Sequence, residues 1–200
     1  MGIPLDPKQG GQCISDGALE TGDILVSTTG AFSSAVIRVG TLSHVSHARL
    51  YIGRSEVAEA VGEGVRVARL EQAMDHDTLC VAYRYPHLTA EQAQAISYFV
   101  RAQVGKKYNY NSVVGQGAQT AWDVTHPVKA YIRRSLQRGR EVQESTQQDQ
   151  FFCSQLVFAA FQYAGVRLTT TAPSASTPQE VVQLQIHGKL DYVGHLKVLI

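Results

Sequence analysis

Cysteine is scarce in this 200-residue chain: Cys13, Cys80 and Cys153 are the only three, and no two form a CxxC pair. An odd, widely spaced set argues against a disulfide framework and against a structural zinc site, so each thiol needs its own explanation. Charge is sparse too. Eighteen Lys and Arg against seventeen Asp and Glu leave a net charge of +1, without the concentrated basic face that nucleic acid requires. No apolar run approaches the roughly 18 residues of a membrane span. The start, Met1 to Gln12, lacks the basic stretch and apolar run of a cleavable secretory signal. Met1-Gly2 is not followed by Ser or Thr at the sixth position, against myristoylation. The expectation is a protein made in the cytoplasm in soluble form, reaching any other compartment by a non-Sec route.

What is there suits one domain with a real core, since 44% of the residues are apolar. Residues 1–18 read as an irregular N-terminal arm, and 19–200 as the folded domain. Short strands are predicted at 24–27, 48–53, 56–60, 65–68 and 79–84 from alternating, β-branched runs bounded by Gly-rich turns. Helical turns are expected at 33–39 and 70–74. Thr89-Ala90-Glu91-Gln92 is a capping box that opens a helix to Gln103, with Ile96, Phe99, Val100 and Val104 as its apolar stripe and Gly105 as its stop. Residues 112–150 turn Gln-, Thr- and Arg-rich and read as a helical insertion or lid. Within it, Lys129 to Arg140 reads as a solvated helix face, with a phospholipid or anionic-polymer contact as the alternative. Phe151 to Ala164 is a strongly apolar helix, Pro178 opens another, and 191–200 closes as a strand. This order implies an α+β fold, a small antiparallel sheet packed against helices.

Cys153 carries the chemistry that such a chain could hold. At the start of a helix, a thiol feels the partial positive charge of unpaired N–H groups, which raises its thiolate fraction. The competing reading is a buried structural cysteine, which is how Cys80, inside an apolar strand, is read. A nucleophile needs a base, and His47 stands at the head of an alternating strand with Glu59 on the next. A tight turn near Arg54 can bring the two to one face, where the carboxylate would hold the imidazole in one tautomer. His44 is the rival base. His76, His87, His126, His187 and His195 are expected on the surface. Asp23 reads as a turn carboxylate bonding nearby backbone, and Tyr108 as a core or cleft residue able to donate to an oxyanion.

The pieces Gly22-Asp23-Ile24-Leu25, Ser46-His47-Ala48-x-Leu50-Tyr51-Ile52-Gly53, Glu59-Ala60, Gly105-x-x-Tyr108, Cys153-Ser154-x-Leu156-Val157 and Thr177-Pro178 occur in that order. Together they resemble the circularly permuted NlpC/P60 hydrolases, in the YiiX/YaeF-like branch related to lecithin–retinol acyltransferase. The resemblance runs over about residues 19–198, apart from the 112–150 insertion. It implies a papain-like fold with Cys153 as nucleophile, His47 as base and Glu59 as third member, with Asp23, Tyr108 and Ser154 near the substrate or oxyanion. No metal or organic cofactor is implied. The substrate expected by analogy is an amide bond in peptidoglycan stem peptides, with lipid ester hydrolysis or acyl transfer on phospholipids as the alternative. By the same analogy, the chain would be a type VI secretion effector, with an immunity protein or a secretion component as partner.

Overall fold

The computed structural model describes residues 11–29, 47–108, 150–170 and 178–197, with Pro173 and Ser176. The helical turns expected at 33–39, the 112–149 part of the insertion, His44, His126 and Thr177 lie outside these residues. The described chain runs β1 (Ile24–Thr29), β2 (His47–Tyr51), β3 (Glu56–Val61), β4 (Gly64–Arg69), α1 (Leu70–Ala73), β5 (Asp77–Arg84), α2 (Ala90–Ala102), β6 (Lys107–Tyr108), β7 (Gln150–Phe151), α3 (Cys153–Tyr163), α4 (Pro178–Ile186) and β8 (Asp191–Lys197).

Six strands form one antiparallel sheet in the order β4-β3-β2-β1-β5-β8, and β6 and β7 form a short parallel pair. The α+β expectation holds. β2 turns into β3 through Gly53, Arg54 and Ser55, all three at positive φ. β3 turns into β4 at Gly62-Glu63, with Val61 opposite Gly64. Alternation along the strands sends one set of side chains, among them Ile24, Val26, Ala48, Leu50, Ala58 and Val81, into the main core under the helices. The other set, including Leu25, Tyr51, Val57, Cys80 and Ala82, makes a smaller cluster on the far face. Cys80 is fully buried there, as expected, and burial pushes its thiol up to about 12.

The predicted capping box forms: the Gln92 N–H donates to Thr89 Oγ1 at 3.2 Å, and the Thr89 N–H donates to Gln92 Oε1 at 3.0 Å. Val104, however, falls beyond the helix and is exposed. α3 is the central helix, buried from Cys153 through Phe161. It starts two residues later than its apolar run suggests, because Phe151 pairs with Tyr108 in the β6–β7 ladder.

Two further corrections concern the ends. The arm is not wholly irregular. Cys13 bridges to His195, with the Ile14 N–H donating to His195 O and the His195 N–H to Gln12 O, so the arm partly covers the open edge of β8. His195 itself is buried rather than on the surface, and its Nδ1 is hydrogen-bonded to the Tyr192 hydroxyl.

Candidate active site

The β6–β7 pair delivers the chain to Phe152 in an extended conformation, and α3 begins at Cys153. The thiol residue is 6% exposed. Its own backbone N–H has no acceptor among the described residues. Two peptide N–H groups, those of Ser154 and Ala48, stand beside the sulfur and favour its ionised form. The second comes from a split in the sheet. β1 pairs with β2 from Ile24↔Leu50 to Ser27↔His47, whereas the β2–β3 ladder has only Leu50↔Ala58 and Tyr51↔Val57. The Tyr51 N–H donates to Asp23 O, so alternate peptides at Arg49 and His47 also face β1, and those at Leu50 and Ala48 face the other way. At Ala48, where the ladder to β3 has ended, that donor meets Cys153.

Counting on from Leu50↔Ala58 puts Arg49 level with Glu59 and His47 diagonal to it on the same face. His47 Nε2 and Glu59 Oε2 are hydrogen-bonded at 2.8 Å. Cys153 hydrogen-bonds the same imidazole, for which Nδ1 is the nitrogen left. The other Glu59 oxygen, Oε1, accepts from Arg66 Nε at 2.9 Å and from Nη2 at 2.7 Å. Arg49 Nε lies 3.3 Å from Glu59 Oε2 as an ion pair, while its Nη1 donates to Asp77 Oδ2 at 2.6 Å and its Nη2 to Oδ1 at 3.3 Å. Arg49, Glu59 and Asp77 are all buried.

The electrostatics follow from this wiring. Burial by itself would depress His47, but hydrogen bonds to Cys153 and Glu59 and the charge of the thiolate push it up to about 9. Burial would raise Glu59, yet the His47 hydrogen bond and charge, Arg49 and Arg66 hold it at about 2. Burial likewise opposes ionisation of Cys153. The hydrogen bond and charge of His47, with the Ala48 and Ser154 N–H groups, overcome it and lower the thiol. At neutral pH these shifts favour a thiolate–imidazolium pair backed by an ionised carboxylate.

The structure thus brings Cys153, His47 and Glu59 together. It does not bring Asp23 with them. Asp23 lies four residues along β1 from Ser27, the partner of His47, or ~13 Å at the usual strand rise. Its oxygens accept from Arg84 Nε at 2.8 Å and Nη2 at 2.7 Å, and Oδ2 also accepts the Glu20 N–H at 2.8 Å. It is a structural carboxylate at the far end of the strand, and a place beside the substrate is corrected on that ground. The Ser154 hydroxyl turns inward and donates to Ser176 O at 3.0 Å, so only the backbone N–H of Ser154 serves the sulfur. Tyr108 is half-buried against the main core, level with Phe151, two residues before Cys153. Arg49, Arg66, Asp77 and the Ala48 N–H were missed by the sequence reading. An arginine inside the apolar run Ala48-Arg49-Leu50 was the available signal.

A papain-like sheet and helix, with the histidine strand preceding the cysteine helix in the chain, define the class: a cysteine hydrolase in permuted order. A family model described as permuted papain-like amidase enzyme, YaeF/YiiX, C92 family, matches residues 18–116. The probable lipoprotein peptidase YaeF of Escherichia coli (strain K12) is 32% identical over 198 residues, which covers 90% of this chain and 71% of that protein. The fold is similar to the crystal structure of the metalloprotein YiiX from Escherichia coli O157:H7, at TM-score 0.50 and 19% identity, covering 90% of this chain and 88% of that one. The chain belongs to the permuted papain-like amidases of the YaeF/YiiX family, and its activity class is cysteine amidase or peptidase. Among the described residues no group of three or more His, Cys, Asp or Glu side chains is placed to hold a metal ion, and Glu59 is already engaged by His47 and two guanidiniums.

Proposed function

We propose that this protein hydrolyses amide bonds in peptidoglycan stem peptides, with Cys153 as nucleophile, His47 as general base and acid, and Glu59 as the residue that orients the imidazole. The observation that carries the catalytic part of this reading is the His47 imidazole, hydrogen-bonded to Glu59 at 2.8 Å and standing beside the Cys153 sulfur, while the family match and the peptidase relative support an amide substrate. In the proposed cycle the thiolate attacks the amide carbon. The Cys153 N–H, first in α3 and without an acceptor among the described residues, faces the developing oxyanion together with the helix N-terminus. His47 gives its proton to the leaving amine as the C–N bond breaks. Water then attacks the thioester, His47 takes one of its protons, and the thiolate is expelled as the acyl group leaves as the carboxylic acid, which gives its remaining proton to solvent.

The substrate is tested by incubating the protein, and Cys153→Ala in parallel, with purified peptidoglycan and with phospholipid vesicles, and reading both by mass spectrometry. New muropeptides that need the thiol are expected. Fatty acid or lysolipid release with an unchanged muropeptide pattern would replace the peptide reading with the lipid one. Action as an antibacterial effector delivered to a rival's periplasm is part of the proposal. It predicts toxicity on periplasmic expression and none in the cytoplasm. Equal growth in both cases would remove that role.

A further inference from the structure

We infer that Arg66 is a positioning residue for the thiol–imidazole pair: it locks one oxygen of Glu59 so that the other stays on His47. The inference rests on the reading of Cys153 and His47 as the reacting groups. A glutamate has three side-chain torsions, and as an orienting carboxylate it must be held from its far side. Two guanidiniums approach it, and they do different things. Arg49 is buried and its terminal nitrogens are committed to Asp77. Its Nε sits 3.3 Å from Glu59 Oε2 but forms no hydrogen bond. It supplies charge without direction. Arg66 reaches across the β3–β4 pair, where it stands opposite Glu59, and places both Nε and Nη2 on Oε1. That leaves Oε2 to His47.

The side chain of Arg66 is half exposed, whereas that of Glu59 is 1% exposed. A surface guanidinium therefore controls a buried carboxylate, and its loss does not open the core. The charge of Arg66 is not among the main influences on His47, whereas the Glu59 hydrogen bond is. Its effect on the imidazole is therefore carried by Glu59. With Arg66 gone, Glu59 can rotate and the His47 hydrogen bond weakens. His47 then becomes less basic, and the Cys153 thiolate loses part of its counter-ion.

The test reads the thiolate directly and needs no substrate. Iodoacetamide labelling of the Cys153 peptide is followed by mass spectrometry from pH 5 to 10, which separates it from the exposed Cys13. Wild type is expected to stay reactive below neutral pH. Arg66→Gln should lose about tenfold in labelling rate at pH 6, as one unit of pKa change gives, with the melting temperature nearly unchanged. Arg66→Lys, which keeps charge but not the fork, should fall between them. Added methylguanidinium should restore part of the Arg66→Gln rate. An Arg66→Gln profile that overlays wild type would overturn the inference. So would a fall in labelling that tracks a fall in melting temperature and that neither Arg66→Lys nor methylguanidinium relieves. A wild-type Cys153 that is inert below pH 8 would instead strike the proposed function, so the two failures are distinguishable.

Discussion

The Ala48 peptide N–H stands beside the sulfur of Cys153 and favours its ionised form, although the two residues lie on different elements far apart in the chain. The donor is available because β3 leaves β2 after Leu50↔Ala58 while staying paired with β4 as far as Val61↔Gly64. A continuous sheet would have used it in a ladder bond. The split in the sheet is therefore the seat of the thiolate, and it supplies both the imidazole and a neutral donor from adjacent residues. Cys153→Ala should abolish hydrolysis and thiol labelling at this position while leaving circular dichroism unchanged, since the substitution removes one atom from a small residue. Retained turnover in that variant would exclude the nucleophile assignment.

The pH profile has a definite sign. His47 is raised to about 9, and it must be protonated to release the leaving amine. The rate of hydrolysis is expected to fall as pH rises through about 9. The same shift makes a stability statement. A histidine whose folded pKa exceeds the unfolded value of ~6.5 stabilises fully below that value and loses its contribution as pH climbs through 9. Glu59 acts at the other end. Its depression to about 2 gives stability that is present above ~4.3 and is lost as pH falls toward 2. Thermal melts across pH should therefore weaken at both extremes, and Glu59→Gln should flatten the acid side.

Glu59→Gln keeps the shape and removes the charge. We expect kcat to fall ~10- to 1000-fold with KM little changed, because the imidazole loses its orienting partner and stabilising charge. Glu59→Ala should also unfold more easily, by about 3 kcal/mol, since it leaves the buried Arg49 with Asp77 alone. Denaturant melts measure this. Equal stability for the two variants would contradict the charge argument.

Gly64 holds the joint between β4 and the strand that leads toward the thiol. Its φ is +122, and a Cβ there would stand 2.4 Å from Lys106 O, a backbone atom that cannot step aside. The Val65 N–H donates to this same carbonyl at 2.8 Å. Gly64→Ala should cost ~1–3 kcal/mol and should lower the rate as well, because β6 aligns β7 and hence Cys153. Thr89→Ala is the contrast. Loss of its cap should cost ~1 kcal/mol with activity per folded molecule unchanged.

How much of this was legible depended on the range of the interaction. The Thr89 capping box, the Gly105 stop and the strand periods of β1 to β5 are local, and the structure reproduces them. The start of α3 was misplaced because Phe151 answers to β6, more than forty residues earlier in the chain. His195 was misjudged because only the docked arm and Tyr192 bury it. Asp23, although correctly read as a turn carboxylate, is claimed by Arg84, a partner sixty-one residues away.

The order of residue types along the chain determined the fold class, the histidine-first order and the candidates Cys153, His47 and Glu59, because alternation and helix start signals are written in neighbouring residues. Tertiary structure alone decided that β2 and β3 part at Ala48, that Arg66 holds one oxygen of Glu59 while the charge of Arg49 lies beside the other, and that Asp23 stands at the far end of its strand. Those outcomes depend on strand register and on where a ladder ends, and both are settled by packing among elements distant in sequence.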